Sequence, residues 1–310
     1  MPKKTLKNIP GVVRWAHHQL HARSLMIKEE YMRLGGSVIG AWQTPEQWRA
    51  LLKASRFKAV TSPVDSRTNR ALAGEILHAT REMGVTVAEA GVWRNALSPD
   101  RKEREAALQY ARNQLAFAEE HGIPCCVNVA GSRGQRWDGA YKDNYSQETY
   151  DLIVESVQDI IDSVQPKKTC YSLEPMPWML PDGPDEYLQM ILDIDRAQFK
   201  VHMDFVNMIN SPRRFLFAHE FIEECLQKLG GNVISLHLKD SRLDQPFTSL
   251  IHEAAPGKGS LDFRLVLKSI DRHLSKDMPV LLEHMNSFEE YAAAYDHVAQ
   301  AAREAGVPIT

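Results

Sequence analysis

VISLHLKD, residues 233–240, is the stretch from which the architecture can be read. Ile234, Leu236 and Leu238 alternate with Ser235, His237 and Lys239, the period of two that a β-strand imposes on its two faces. Three other segments repeat the design: CYSLEP (170–175), KVHMDF (200–205) and PVLLEHM (279–285). Each carries one metal-capable side chain near its C-terminal end, giving the ordered set Glu174, Asp204, His237 and Glu283, and each is followed by a stretch of helical period. A strand buried on both faces reads as almost continuously apolar. An ionisable group inside such a strand is costly unless it is paired or bound to a metal. A single glutamate of this kind is usually an ion-pair partner; four such residues in phase on four successive strands point to one shared site.

Upstream the same alternation continues. SVIGAWQ (37–43), FKAVTSPV (57–64), TVAEAGVW (86–93) and CCVNVAG (125–131) are short apolar runs, each followed by a helix-like segment. Thr44 before Pro45 reads as an N-cap with proline in the first turn, and Ser146 with Glu148 opens another helix. Eight strand–helix units predict an α/β chain folded as a closed (β/α)8 TIM barrel. An open doubly wound sheet fits less well, because no GxGxxG follows the first strand. The predicted organisation is an N-terminal extension, 1–35, packed on the barrel, and a single barrel domain over 36–310. Two polar connections, 131–145 and 241–260, read as long loops. His17, His18 and His21 fall in the extension and read as part of a solvated or capping helix.

The composition is that of an ordinary globular protein, 44% hydrophobic and 25% charged, with a formal net charge of −3. No large basic excess marks a nucleic-acid partner. No signal-like segment and no run of about 18 apolar residues is seen, so neither secretion nor membrane insertion is expected. Cys125, Cys126, Cys170 and Cys225 form no CxxC pair and read as reduced thiols of a cytoplasmic protein. Barrels with extra terminal residues often self-associate, and a homo-oligomer is entertained on that analogy.

Two glutamates, one aspartate and one imidazole make an oxygen-rich donor set suited to one divalent metal, Mn²⁺ or Mg²⁺ ahead of Zn²⁺. The alternation places Ser172, His202, Ser235 and Leu281 on the inner face with the four candidate ligands. Trp42, Gln43, Trp93, Arg94, Asn95, Asn128, Trp137, Asp138 and Trp178 end strands or occupy loops where they would reach the mouth. His284 alternates outward and reads as structural.

LEPMPW (173–178), HMDFVNMINSPRRF (202–215), HLKDSR (237–242), PGKGSLDF (256–263) and LLEHM (281–285) give the chain its resemblance to a known group. It resembles the xylose isomerase-like superfamily of barrels, in the branch called sugar phosphate isomerase/epimerase. The resemblance implies that Glu174, Asp204, His237 and Glu283 ligate the metal. It also implies that Glu174 and Glu283 are catalytic, exchanging a proton next to a carbonyl from opposite sides of an enediolate. Lys239 and Arg242 would meet substrate oxygens, and Asn128, Trp178, His202 and Asn207 complete the expected substrate-binding set. Asn207 stands where ketose epimerases of this group usually have a histidine. The implied activity is a carbohydrate or keto-sugar epimerase or isomerase. The alternative is a lyase on the same enolate, such as an inosose-type dehydratase or a C-glycoside-cleaving 3-keto-sugar subunit. A multi-zinc nuclease of this fold needs more histidines than His202 and His237 supply. A non-catalytic barrel would have no reason to keep all four ligands.

Overall fold

Helix boundaries follow local chemistry. Thr44 accepts a hydrogen bond from Gln47 N at the start of helix Pro45–Ser55, Asp100 caps Arg101–His121, Ser146 caps Gln147–Val164 and Ser287 caps Phe288–Ala305. Gly122 and Gly306 end their helices in the left-handed region. These helices surround the strands of a computed structural model that describes residues 31–244 and 248–310. Among the described residues the strands are β1 (Arg33–Gly36), β2 (Ala59–Thr61), β3 (Thr86–Gly91), β4 (Cys125–Asn128), β5 (Cys170–Leu173), β6 (Phe199–Asp204), β7 (Val233–Leu238), β8 (Asp240–Asp244), β9 (Leu250–Ala254) and β10 (Pro279–Leu282). All but β8 and β9 close into one parallel barrel, with β10 seated between β7 and β1. The protein is a TIM barrel.

The period-two reading holds on the strands that carry the candidate ligands. Tyr171, Leu173, Val201, Met203, Leu236, Leu238 and Leu282 join the apolar core beneath the helices. Leu281 sits inside the barrel with Ala59 and Ala88. Two register shifts complicate the pattern. Val60 pairs with Val87 but Thr61 with Glu89, skipping Ala88; Val201 pairs with Val233 but His202 with Ser235, skipping Ile234. A bulge of this kind re-aims the side chains beyond it.

Three expectations need correction. The first strand is RLGG at 33–36, so SVIGAWQ (37–43) follows the strand and lies on the rim, where Trp42 packs against Trp48 at 5.7 Å. The strand is hidden in the sequence because glycine is a poor strand former. Here it is required: a Cβ on Gly35 would lie 1.6 Å from the Ala59 carbonyl oxygen, and one on Gly36 2.7 Å from that of Leu282. The barrel unit accordingly spans Tyr31–Thr310 and does not begin at 36; the packing of the extension, and His17, His18 and His21, lie outside the described residues. Lastly, 241–260 is no plain loop, because β8 and β9 pair antiparallel within it, Ser241 opposite Glu253.

That hairpin is anchored at its base by Asp240, which is buried. Its carboxylate accepts from the backbone N–H groups of Ser241 (2.8 Å), Leu261 (3.0 Å), Gly257 (3.1 Å) and Gly259 (2.8 Å). A Cβ on Gly259 would fall 2.2 Å from Asp240 Oδ1, so the PGKG turn wraps the carboxylate at a distance only glycine allows. Asp240→Ala strands those donors and is expected to lower stability by about 2–3 kcal/mol, read from the urea midpoint. An unchanged midpoint would show that water replaces the carboxylate freely. Among the described residues no helix is long and apolar enough to cross a membrane.

Candidate metal centre

Glu174 and Glu283 sit one residue beyond β5 and β10, Asp204 ends β6, and His237 lies near the end of β7. These are C-terminal strand ends, the barrel face on which such folds carry their sites. One ligand atom from each lies within 4.8 Å of those from the other three. Asp204, His237 and Glu174 are 0%, 2% and 4% exposed. His237 Nδ1 faces both glutamates, 3.3 Å from Glu174 Oε1 and 3.0 Å from Glu283 Oε2. Its other nitrogen, Nε2, lies 3.0 Å from Glu89 Oε1 on β3, and Ser235 donates to Glu89 Oε2 at 2.8 Å. A carboxylate behind an imidazole fixes the ring and leaves the opposite nitrogen to face a metal.

Charge count favours a cation. Among the described residues, Glu89, Glu174, Asp204, Glu253 and Glu283 form one network with a single ammonium, that of Lys239, which is 1% exposed. Its Nζ lies 2.9 Å from Asp204 Oδ2, 2.7 Å from Glu283 Oε2 and 3.1 Å from Glu253 Oε2. Asp204 Oδ2 and Glu283 Oε2 nonetheless make no directed hydrogen bond, although both are buried. Three carboxylates that converge on one point with a single ammonium beside them leave negative charge that a divalent ion would complete.

The same imbalance shows in the proton affinities. Burial opposes charge on His237, yet Glu283, Glu89 and Glu174 outweigh it and hold the imidazole well above its usual range. Burial, then the neighbouring Glu283, pushes Glu174 up to about 7. Burial works against ionised Glu283 as well, but His237 and Lys239 hold its carboxyl well below the usual range. Burial pushes His202 down to about 4. That ring stacks edge-on against His237 at 4.1 Å, with Nδ1 3.3 Å from Glu89 Oε2 but not in hydrogen-bonding geometry.

A cavity of about 650 Å³ opens over the site, touching Glu89, Glu174, Glu283 and His284 and running out to Trp93, Arg94 and Tyr110. Several expected substrate contacts do not reach it. The Asn128 amide is used on both sides by the backbone of Arg94, at 3.0 Å each. Trp178 donates to the Asp138 carbonyl at 2.7 Å and braces the 131–145 connection. Arg242 alternates outward on β8, leaving its side chain 54% exposed, and Ser241 is the buried neighbour. Asn207 donates to Glu174 Oε1 at 3.0 Å and accepts from Lys239 at 3.3 Å, so it aligns the acids from behind. His284, expected to be structural, lines the cavity: the strand stops at Leu282, and a φ of 61° at His284 breaks the alternation.

The model of the xylose isomerase-like TIM barrel family matches residues 50–305. The chain belongs to this family. Solved xylose isomerase-like barrels of similar fold include one from Mycobacterium smegmatis, in complex with magnesium, at 16% identity and TM-score 0.64, covering 90% of this chain and 98% of that one. A 3-keto-D-glucoside 4-epimerase from E. coli, also 16% identical at TM-score 0.64, covers 88% and 99%. D-psicose 3-epimerase from Clostridium cellulolyticum H10, 14% identical at TM-score 0.63, covers 87% and 99%. At these identities the likeness establishes the fold alone. A search of curated proteins finds no match to the sequence.

Within this xylose isomerase-like barrel, Glu89 and Glu253 join the site without being among the residues singled out from the strand pattern, and Glu89 supports a candidate ligand directly. Glu89 carries the same signal as Glu174, Asp204 and Glu283, a lone acid in an apolar run, here TVAEAGVW. Glu89→Gln should weaken metal binding by about 10–100-fold, measured by metal titration, because the His237 ring loses its carboxylate support. An unchanged affinity would make Glu89 a packing residue.

Proposed function

We propose that this chain is a divalent-metal-dependent epimerase or isomerase of carbohydrates or keto-sugars, abstracting a proton next to a carbonyl through an enediolate. The observation that carries the reading is the pair Glu174 and Glu283, which approach His237 Nδ1 from β5 and β10, on opposite sides of β6 and β7. Two carboxyl groups flanking one point can remove a proton from one face of a carbon and return one to the other. Glu174, Asp204, His237 and Glu283 would hold the ion, with three carboxylates favouring Mn²⁺ or Mg²⁺ over Zn²⁺. Such an ion supplies Lewis-acid polarisation of the carbonyl and stabilises the developing negative charge. Lys239 neutralises Asp204 and Glu283, and Asn207 fixes the orientation of Glu174. Two barrels of similar fold are named as sugar epimerases, which agrees with a sugar substrate. Four free cysteines suit a cytoplasmic setting.

A second reading, a lyase on the same enolate, is favoured by the cavity's lining, which continues beyond the two glutamates to Trp93, Arg94 and Tyr110 and leaves room for a leaving group. The test is elemental analysis of the protein followed by incubation of the metal-loaded chain with a keto-sugar panel in D₂O. Solvent deuterium on carbon with unchanged product connectivity supports the epimerase, and loss of water or an aglycone supports the lyase. Absence of bound metal after reconstitution would sink both.

A further inference from the structure

The outer half of the cavity is built around Tyr110, and its charges do not balance. Arg67 and Arg94 both lie over the Tyr110 ring, their guanidinium carbons 5.0 Å and 4.8 Å from its centre. Asp65 is already satisfied there: it pairs with Arg67 at 2.5 Å and accepts from the Tyr110 hydroxyl at 3.1 Å. Asp138, the other acid at this end, lies 3.4 Å from Arg136. Arg94 donates to the Trp93 carbonyl at 2.8 Å, and no carboxylate among the described residues pairs with it. One half-buried guanidinium is therefore surplus on the cavity wall.

The backbone that carries it is fixed by several hydrogen bonds around a left-handed residue. Trp93 sits at φ 50°, a left-handed conformation that a bulky residue rarely adopts. Strain of this sort persists only where its surroundings over-determine it, and it gathers at functional sites. Here the surroundings are identifiable. The indole Nε1 of Trp93 occupies a point 1.9 Å from where a Cβ on Gly91 would be. The Asn128 amide clamps both the N–H and the carbonyl of Arg94 at 3.0 Å, and Val92 N donates to the Val127 carbonyl at 2.7 Å. The turn 91–94 is locked so that Arg94 is presented to the cavity and stacked on Tyr110. A planar fork stacked on an aromatic ring is preorganised to bind a carboxylate or phosphate.

We infer that Arg94, positioned by Asn128 and Tyr110, forms a second subsite that binds an anionic substituent of the substrate. The substrate is then a sugar carrying a carboxylate or a phosphate ester, its anion held by Arg94 while its carbonyl end reaches Glu174 and Glu283. The inference rests on the function proposed above only in placing that carbonyl end.

The test measures binding of glucose, glucuronate and glucose 6-phosphate by calorimetry, to the full chain both metal-free and loaded with Mn²⁺. Wild type is expected to bind at least one charged sugar about tenfold more tightly than glucose, the scale of one charge-assisted hydrogen bond. R94M should abolish that preference, and R94K should keep only part of it, since a point charge replaces the fork. A preference for glucuronate assigns an acid and one for glucose 6-phosphate an ester. Circular dichroism of both variants checks the fold. Equal binding of charged and neutral sugars by wild type, or an undiminished preference in folded R94M, overturns the subsite. Because the preference is read without turnover and with and without metal, failed deuterium exchange alongside an intact preference would remove only the epimerase reading.

Discussion

Glu283→Gln is expected to reduce turnover by about 10²–10⁴-fold, the contribution of a positioned proton-transfer group, while the folded state survives. Glutamine matches the shape of glutamate but neither accepts a proton from carbon nor carries charge. The substitution also removes the carboxylate oxygen 2.7 Å from Lys239 Nζ and 3.0 Å from His237 Nδ1. Loss of one partner from a buried ion pair is ordinarily severe. Here Lys239 retains Asp204 at 2.9 Å and Glu253 at 3.1 Å, and His237 retains Glu89 and Glu174. The network holds more carboxylates than cations, so removing one relieves repulsion. Activity and stability should therefore separate. The check is turnover and solvent deuterium incorporation on an identified substrate beside a thermal melt. Near wild-type exchange would remove Glu283 from the chemistry, and a collapse of the melt would assign it to the fold.

What could be read from the sequence follows from how each residue is held. Asp204, His237 and the positions just past β5 and β10 were legible because alternation on a doubly buried strand leaves an ionisable group nowhere neutral to go. The eight-unit repeat gave the barrel for the same reason. RLGG escaped because the property that makes it β1, close backbone approach at Gly35, has no hydrophobic signature. The hairpin of β8 and β9 escaped because its burial pattern is mostly exposed or intermediate, leaving little apolar period to detect. His284 leaves the outward position that alternation predicts because alternation stops where φ turns positive. Asn128 ends a strand as expected, yet its amide turns to the Arg94 backbone. Spacing reports which residues reach the mouth, not which hydrogen bonds they have already spent. The Arg67, Asp65 and Tyr110 grouping joins a loop to a distant helix, a proximity no local pattern encodes.

Metal content provides the second large effect, and it needs no knowledge of the substrate. Asp204→Asn should take the chain from about one equivalent of Mn²⁺ or Mg²⁺ to less than about 0.1 after desalting, a loss exceeding that expected for Glu89→Gln, whose carboxylate acts through His237. The two oxygens of Asp204 have different tasks. Oδ1 accepts from Asn207 N at 3.0 Å and caps the turn Phe205–Met208, a bond that an asparagine oxygen can keep. Oδ2 faces Lys239 and the other candidate ligands, and this is the position that loses its charge. Asparagine therefore removes the metal contact while preserving the local backbone, which alanine would not. A neutral amide is a much poorer donor to a hard cation than a carboxylate. Lys239 keeps Glu283 and Glu253 as partners, so its ammonium is not left alone in the interior. If stoichiometry and titrated affinity stay at wild-type values, Asp204 is no ligand. Its complete burial would then be explained by Lys239 alone, as an ion pair that fixes the mouth of the barrel.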